Sequence, residues 1–291
     1  MIILDGKKTS QEIRNEIAEE VKTISAKGGK KPHLAAVLVG NNGASITYVN
    51  AKIRDCEEVG YTSSLIKLSE TISEKELLQE VAKLNADEDV DGFIVQLPLP
   101  KHIDEQKVIM AINPEKDVDG FHPENLGKMA LNLPSYLPAT PMGIMDLLDR
   151  YNVETGGKHC VVVGRSHIVG LPASILMGRN SYPGNATVTL THSRTTNLKE
   201  LLQDADMIIA ALGKPNFITA EMVKEGVVII DVGTTRVVDK SKKSGHRLVG
   251  DVDFKEVSKK AGFITPVPGG VGPMTRVSLL KNTLMAVRKK L

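Results

Sequence analysis

The chain has 291 residues, with 37 Lys+Arg against 35 Asp+Glu and a formal net charge of +2. At about 100–200 residues per domain, that length suits two domains. The near-neutral balance excludes the concentrated basic surface of a dedicated nucleic-acid binder, and aromatics at only 3% with no Trp exclude base-stacking platforms. No apolar run approaches the roughly 18–20 residues of a membrane span. The start, Met1 to Gly6, has no basic region and too short an apolar stretch for a secretory signal. Cys56 and Cys160 lie far apart, so neither a disulfide framework nor a metal site is expected, and the chain reads as reduced and cytoplasmic.

Thr9-Ser10-Gln11-Glu12 has the capping-box pattern and predicts a helix to about Lys27, stopped by Gly28-Gly29. Leu34 to Gly40 reads as a buried strand, and Ser45 opens a helix to about Val59. Ser73-Glu74-Lys75-Glu76 is a second capping box, before a helix to about Asn85. Gly92 to Leu97 reads as a strand stopped by Pro98 and Pro100. Asn113 to Thr140 is turn-rich, and Pro141 suits the first turn of a helix to about Tyr151. Beyond it, strand-like runs at Cys160–Val163, Ala186–Leu190, Met207–Ala211, Val227–Asp231 and Phe263–Val267 alternate with helical stretches near 170–179, 197–203, 219–224 and 254–260. Short buried strands between helices imply a parallel sheet covered on both faces. Thr275 to Leu291 reads as a helix whose basic end, Arg288-Lys289-Lys290, suits the helix dipole. No internal repeat is visible.

The strand Cys160–Val163 runs into Gly164-Arg165-Ser166-His167-Ile168-Val169-Gly170 and a helix. A strand, a glycine turn and a helix N-terminus form the setting for a dinucleotide's pyrophosphate, although the spacing is not G-x-G-x-x-G. NAD sites usually carry an acid after the next strand. Here Thr191-His192-Ser193-Arg194-Thr195 follows instead. Arg165, Ser193 and Arg194 suit a 2′-phosphate through charge-assisted bonds, so NADP is preferred over NAD.

In the first half, Tyr48 and Lys52 stand at i and i+4 on one face of a helix. A lysine beside a tyrosine can act in proton transfer if burial tunes it. Gln96, at the end of its strand, either bonds a lysine or a substrate or braces the turn Leu97-Pro98-Leu99-Pro100. Lys116-Asp117-Val118-Asp119-Gly120 offers two carboxylates, one for a heterocycle with paired N–H donors or both for an Asx turn. Thr265 to Thr275, dense in Pro and Gly, is either a close-approach loop for a ligand or a linker.

Together these segments resemble the bifunctional methylenetetrahydrofolate dehydrogenase/cyclohydrolase family, over nearly the whole chain. The motifs that carry the resemblance are Tyr48-x-x-x-Lys52, Gln96-Leu97-Pro98-Leu99-Pro100, Lys116-Asp117-Val118-Asp119-Gly120, Gly164-Arg165-Ser166 and Pro268-Gly269-Gly270-Val271-Gly272-Pro273-Met274-Thr275. The resemblance implies an α/β chain of two domains. An N-terminal substrate domain over 1–140 is joined by the C-terminal helix 273–291, and a Rossmann-like NADP-binding domain with a parallel sheet covers 141–272, with the active site in the cleft between them. It implies oxidation of 5,10-methylenetetrahydrofolate by NADP, hydrolysis of the methenyl product to 10-formyltetrahydrofolate, and a homodimer. It assigns proton transfer to Lys52, folate stacking to Tyr48, tuning of the lysine to Gln96 and the pterin to Asp119. Leu97, Pro98, Pro268, Gly269 and Gly270 are further folate contacts, and Gly164, Arg165, Ser166, Ser193 and Thr234 are cofactor contacts.

The chain departs from the family pattern in three places. Ala139 stands where many relatives carry Cys, Asp231-Val232-Gly233-Thr234-Thr235 replaces a frequent Gly-Ile-Asn ending, and Asn180 to Gly184 looks like a short surface insertion. At this length the synthetase domain fused to some relatives is not expected. Among rivals, a short-chain dehydrogenase has its Tyr–Lys pair after the nucleotide turn, the reverse of the order here. A shikimate-dehydrogenase-like enzyme shares the domain layout, and a non-catalytic nucleotide-binding regulator leaves Tyr48, Lys52, Gln96 and Asp119 unexplained.

Overall fold

The structure, a computed structural model, describes residues 1–241 and 245–288. In chain order the elements are β1 (Ile2–Ile3), α1 (Gly6–Ala26), β2 (His33–Val39), α2 (Gly43–Glu58), β3 (Thr62–Leu68), α3 (Glu74–Ala86) and β4 (Gly92–Val95). Then come α4 (Glu105–Ala111), α5 (Pro123–Ala130), α6 (Ala139–Arg150), β5 (His159–Val163), α7 (Gly170–Gly178), β6 (Thr187–Thr191), α8 (Leu198–Asp204) and β7 (Met207–Ala210). The chain closes with β8 (Val228–Asp231), β9 (Thr235–Val238), β10 (His246–Val249), α9 (Phe254–Val257), β11 (Phe263–Ile264) and α10 (Val271–Arg288).

Short polar side chains decide where the helices begin. The capping box expected at Ser73 is present, with Glu76 N donating to Ser73 Oγ and Ser73 N to the Glu76 carboxylate. The one expected at Thr9 is not. Helix α1 starts one turn earlier because Asp5 Oδ1 accepts the Lys8 N–H at 2.9 Å, and the Thr9 hydroxyl donates back to Asp5 O. Asn42, not Ser45, caps α2, accepting from Ala44 N and Ser45 N at 3.0 and 3.1 Å. The stretch near 219–224 is a single 3-10 turn, Ala220–Met222. Lys289 and Lys290 of the expected basic end lie outside the described residues, and Arg288 pairs with Glu20.

The chain divides into two compact units. The first holds residues 11–139 and the chain from Arg276 onward; the second holds residues 1–10 and 140–275. The expected boundary is thereby corrected at the N-terminus. β1 pairs in parallel with β11, Ile2 opposite Phe263, so residues 1–10 belong with the sheet of the second unit.

In the first unit β3, β2 and β4 form a parallel sheet with β2 central. Helix α3 covers one face, where Val37, Leu77 and Phe93 are fully buried. Transfer from water is worth about 1.5–3 kcal/mol for each such side chain. The returning helix α10 is tied in by polar contacts that satisfy buried backbone. Asn282 Nδ2 donates to Val118 O and Leu137 O at 2.8 and 2.9 Å, and the Tyr61 hydroxyl donates to Leu280 O at 2.9 Å.

In the second unit six parallel strands run in the order β1-β11-β8-β7-β5-β6, and β9 and β10 form a separate antiparallel hairpin. The first, second and third strands of each unit's βαβαβ stretch are arranged alike, as β3-β2-β4 and β6-β5-β7. The entry to the central strand is also latched alike. His33 N donates to Asp91 Oδ2 at 2.9 Å and His159 N to Asp206 Oδ2 at 2.8 Å. Each ring Nε2 meets a hydroxyl on the neighbouring strand, Ser64 or Thr189, at 2.9 Å. No helix among the described residues is long and apolar enough to cross a membrane.

Candidate active site

In the first unit, α2 and the carboxyl end of β4 build a polar cluster on apolar walls. Lys52 is 6% exposed and Tyr48 39%. The Lys52 ammonium lies 5.7 Å from the Tyr48 ring centroid and donates to Gln96 Oε1 at 3.3 Å. Gln96 follows β4, and its Nε2 donates to Leu97 O at 2.7 Å, just before the cis Leu97–Pro98 bond. The hydrogen bond to Leu97 O fixes the amide, so its oxygen faces the lysine. Gln96 therefore does both things the sequence offered, bonding the lysine and bracing the proline turn. An ammonium has three N–H donors, and Gln96 engages one of them. Cys56, one turn along α2, is no nucleophile: burial, then Asp55, pushes its thiol up to about 12.

The Lys116–Gly120 motif divides its labour. Lys116 Nζ donates to Leu84 O at 2.9 Å and Asp87 O at 2.5 Å, closing the end of α3. Asp117, 2% exposed, accepts from Phe121 N at 3.2 Å, His122 N at 2.8 Å and Asn125 Nδ2 at 2.9 Å. Desolvation pushes its carboxyl up to about 6 against those hydrogen bonds. Asp119 is half-buried and lines a small pocket with Phe93, Leu97, Val108 and Phe121. Directly after Asp119, Gly120 has φ +73°, and a Cβ there would lie 2.5 Å from the Leu137 carbonyl carbon. Both acids line that pocket, and the first also organises the loop.

In the second unit, the turn after β5 lies where the strand order reverses, since β5 sits between β6 and β7. Ligands of open α/β sheets bind outside the carboxyl ends of strands at such a point. Gly164 has φ +110°, and a Cβ on it would lie 2.2 Å from Ala211 O; one on Gly170 would lie 1.9 Å from Gly164 O. No other residue fits either position, so the turn closes tightly onto the N-terminus of α7. The Ser166 hydroxyl oxygen accepts from Val169 N at 3.2 Å and Gly170 N at 3.4 Å, and its O–H is still a donor. Arg165, Ser193, Arg194 and Thr234 are exposed. Residues 164–170 and 191–195 contain no carboxylate. The donor set fits a dinucleotide carrying a 2′-phosphate.

The Pro268–Gly270 segment belongs to the same unit. Pro268 is exposed, and Gly269 O accepts the Lys7 N–H at 2.8 Å. Gly270 is buried so closely that a Cβ on Gly6 would lie 1.8 Å from its oxygen. Among the described residues no group of three or more His, Cys, Asp or Glu is placed to hold a metal ion.

A parallel sheet with a dinucleotide turn, and a second sheet whose end carries a glutamine bonded to a buried lysine on α2, define a two-domain α/β enzyme dependent on a nicotinamide cofactor. Family models bear this out. The tetrahydrofolate dehydrogenase/cyclohydrolase catalytic domain matches residues 4–119, and that family's NAD(P)-binding domain matches 138–291. The Bifunctional protein FolD of Cytophaga hutchinsonii is 66% identical over 290 residues, covering 100% of both chains. The crystal structure of the bifunctional FolD enzyme of Campylobacter jejuni aligns with a TM-score of 0.94 at 45% identity over 100% of each chain. The Trypanosoma brucei enzyme, complexed with NADP cofactor and inhibitor, aligns with a TM-score of 0.95 at 38% identity, covering 100% of this chain and 98% of that one. The chain belongs to the tetrahydrofolate dehydrogenase/cyclohydrolase family.

Proposed function

We propose that this enzyme, an oxidoreductase and a hydrolase by family, oxidises 5,10-methylenetetrahydrofolate with NADP and hydrolyses the 5,10-methenyl product, with Lys52 moving the protons of the second step. The observation that carries the reading is the buried Lys52 ammonium, 3.3 Å from a glutamine oxygen that is itself fixed.

NADP, when bound, accepts the hydride from the methylene carbon. Arg165 and Ser193 hold its 2′-phosphate, while the Gly164–Gly170 turn and the N-terminus of α7 receive the pyrophosphate. Ser166 and Thr234 complete the cofactor contacts. On the folate side, Asp119 accepts paired N–H donors of the pterin from its pocket wall. Tyr48 offers its partly exposed ring for stacking, Leu97 and Pro98 form an apolar edge, and the Pro268–Gly270 backbone offers further contacts.

Hydrolysis begins with water adding to the central carbon of the methenyl cation. The Lys52 ammonium delivers a proton to the nitrogen released as the ring opens to 10-formyltetrahydrofolate and, as the amine so formed, takes up one of the two protons the added water gives up, the other passing to solvent. Gln96 keeps the ammonium aimed. A homodimer in the cytoplasm belongs to the same proposal, and light scattering that returns the monomer mass would remove the dimer. The central test is purified protein with methylenetetrahydrofolate and NADP, following methenyl absorbance. Formation followed by decay supports the reading, and its failure to form removes it.

A further inference from the structure

Two buried carboxylates in the second unit take no part in the site described so far. Asp231 ends β8 and is 4% exposed; Asp251 follows β10 and is 0% exposed. Asp251 Oδ2 accepts the N–H groups of Leu212 and Gly213, at 2.6 and 2.9 Å, from the loop that follows β7. Asp231 Oδ1 accepts from Gly233 N and Asp251 N, both at 2.9 Å, and Oδ2 from Val252 N at 3.0 Å. The Asp231 N–H donates to the Thr265 hydroxyl at 2.7 Å. The packing leaves no slack. A Cβ on Gly233 would lie 2.4 Å from Asp251 Oδ1, and one on Gly250 1.9 Å from Asp231 Oδ2.

The clamped loops are those at the nucleotide turn. Leu212 follows Ala211, whose oxygen is the atom a Gly164 Cβ would strike at 2.2 Å. Gly233 precedes Thr234. From Asp251 a continuous set of contacts thus leads through Leu212 and Ala211 to the Gly164 turn. Through Asp231 another leads by Gly233 to the exposed Thr234.

We infer that Asp251, braced by Asp231, is a positioning residue for cofactor binding: it holds the backbone after β7 and β8 in the shape the dinucleotide turn needs. Its chemistry suits the task. A carboxylate accepts several N–H groups at once, and two adjacent amides of a partly buried loop, left without that acceptor, turn elsewhere. The inference rests on the reading of residues 164–170 as the NADP site.

The bifunctional chain supplies its own control, because hydrolysis of supplied methenyltetrahydrofolate needs no NADP. Titration calorimetry of NADP into the full-length protein is compared for the wild type, Asp251→Ala and Asp251→Asn. The alanine variant is expected to weaken NADP binding by roughly tenfold or more. The asparagine variant, whose amide oxygen still accepts both N–H groups, should stay within a few-fold. NADP-free hydrolysis should be unchanged in both. Unaltered NADP affinity in Asp251→Ala overturns the inference. So does a parallel loss of NADP-free hydrolysis, which marks general unfolding, or an asparagine variant as weak as the alanine. Arg165→Ala in the same titration separates the two claims. If it leaves NADP affinity intact, the reading of the turn fails; if it weakens binding while Asp251→Ala does not, the clamp fails.

Discussion

Gln96 faces Lys52 with its amide oxygen and holds the Leu97 carbonyl with its amide nitrogen, at 3.3 and 2.7 Å. One side chain therefore couples the turn after β4 to the position of the ammonium. Lys52→Met should cut hydrolysis of methenyltetrahydrofolate by about 10²–10⁴-fold, the usual worth of a positioned acid–base group. Hydride transfer should persist, so methenyl absorbance should accumulate rather than decay. Gln96→Leu should slow the decay through the same lysine. Rapid decay in Lys52→Met would remove the proton-transfer role.

The two acids of the Lys116–Gly120 motif should separate by experiment. Asp117→Ala strands three donors in a buried loop, at about 1–3 kcal/mol for each unsatisfied group. Its urea midpoint should fall sharply. Asp119→Ala should leave the midpoint nearly unchanged and raise KM for the folate substrate. A stability loss in Asp119→Ala matching that of Asp117→Ala would contradict the division.

Asp117 and Asp231 both have carboxyls pushed up from 3.8 to about 6, chiefly by burial. Between those values the folded chain holds protons that the unfolded chain has released. Each group therefore lowers stability as pH rises from about 4 to 6, by on the order of 3 kcal/mol, and the loss is complete above about 6. Surface carboxylates held low by partners, such as Glu74 beside the Asp104 N–H and Lys107, act in the opposite sense. The difference between wild type and Asp231→Asn isolates the buried group. Urea unfolding from about pH 4 to 7 should show the wild type losing stability relative to the variant, and equal slopes would count against the raised value.

NADP preference should rest on Arg165 and Ser193. A charge-assisted hydrogen bond is worth about 1.5–3 kcal/mol. Arg165→Ala should therefore narrow the preference of kcat/KM for NADP over NAD by about ten- to a hundredfold. Steady-state rates with the two cofactors decide the point, since loss with both alike would place Arg165 elsewhere.

Local patterns were legible where one segment settles its own fate. The aliphatic runs of β2, β5, β7 and β8 and the Gly164 turn belong here. The two capping-box patterns look equivalent, yet only Ser73 caps, because Asp5 lies one turn ahead of Thr9 and next to a strand held by β11. Strand β3 was missed because Thr62–Leu68 has no continuous apolar run and is mostly half-buried at the sheet edge. Helices α4 and α5 are short and lie among prolines, and the β9–β10 hairpin has no Asn-Gly-type turn signal. At the site, i,i+4 spacing put Tyr48 and Lys52 on one face, but the meeting with Gln96 depends on β2–β4 pairing. The resemblance assigns the pterin to Asp119, but the motif's own residues do not say that Asp117 is the acid that holds the loop, because that is decided by Phe121, His122 and Asn125. Asp251 carries no motif at all. The common latch of His33 and His159 is equally invisible, since β2 and β5 share little beyond a histidine before aliphatic residues.

β1 is made before every other strand, yet its partner β11 is made after all of them, with Ile2 opposite Phe263. On the ribosome, β2, β3 and β4 have all emerged once Val95 is out, so the first sheet can pair early. The nucleotide sheet has to wait. Until Ile264 emerges, β8 presents a bare edge of the kind that invites mispairing. Gly6 likewise has no Gly270 to pack against. Closure of the cofactor half is thus timed to the emergence of β11, and a chain cut short before it would carry a complete dinucleotide turn on an unfinished sheet.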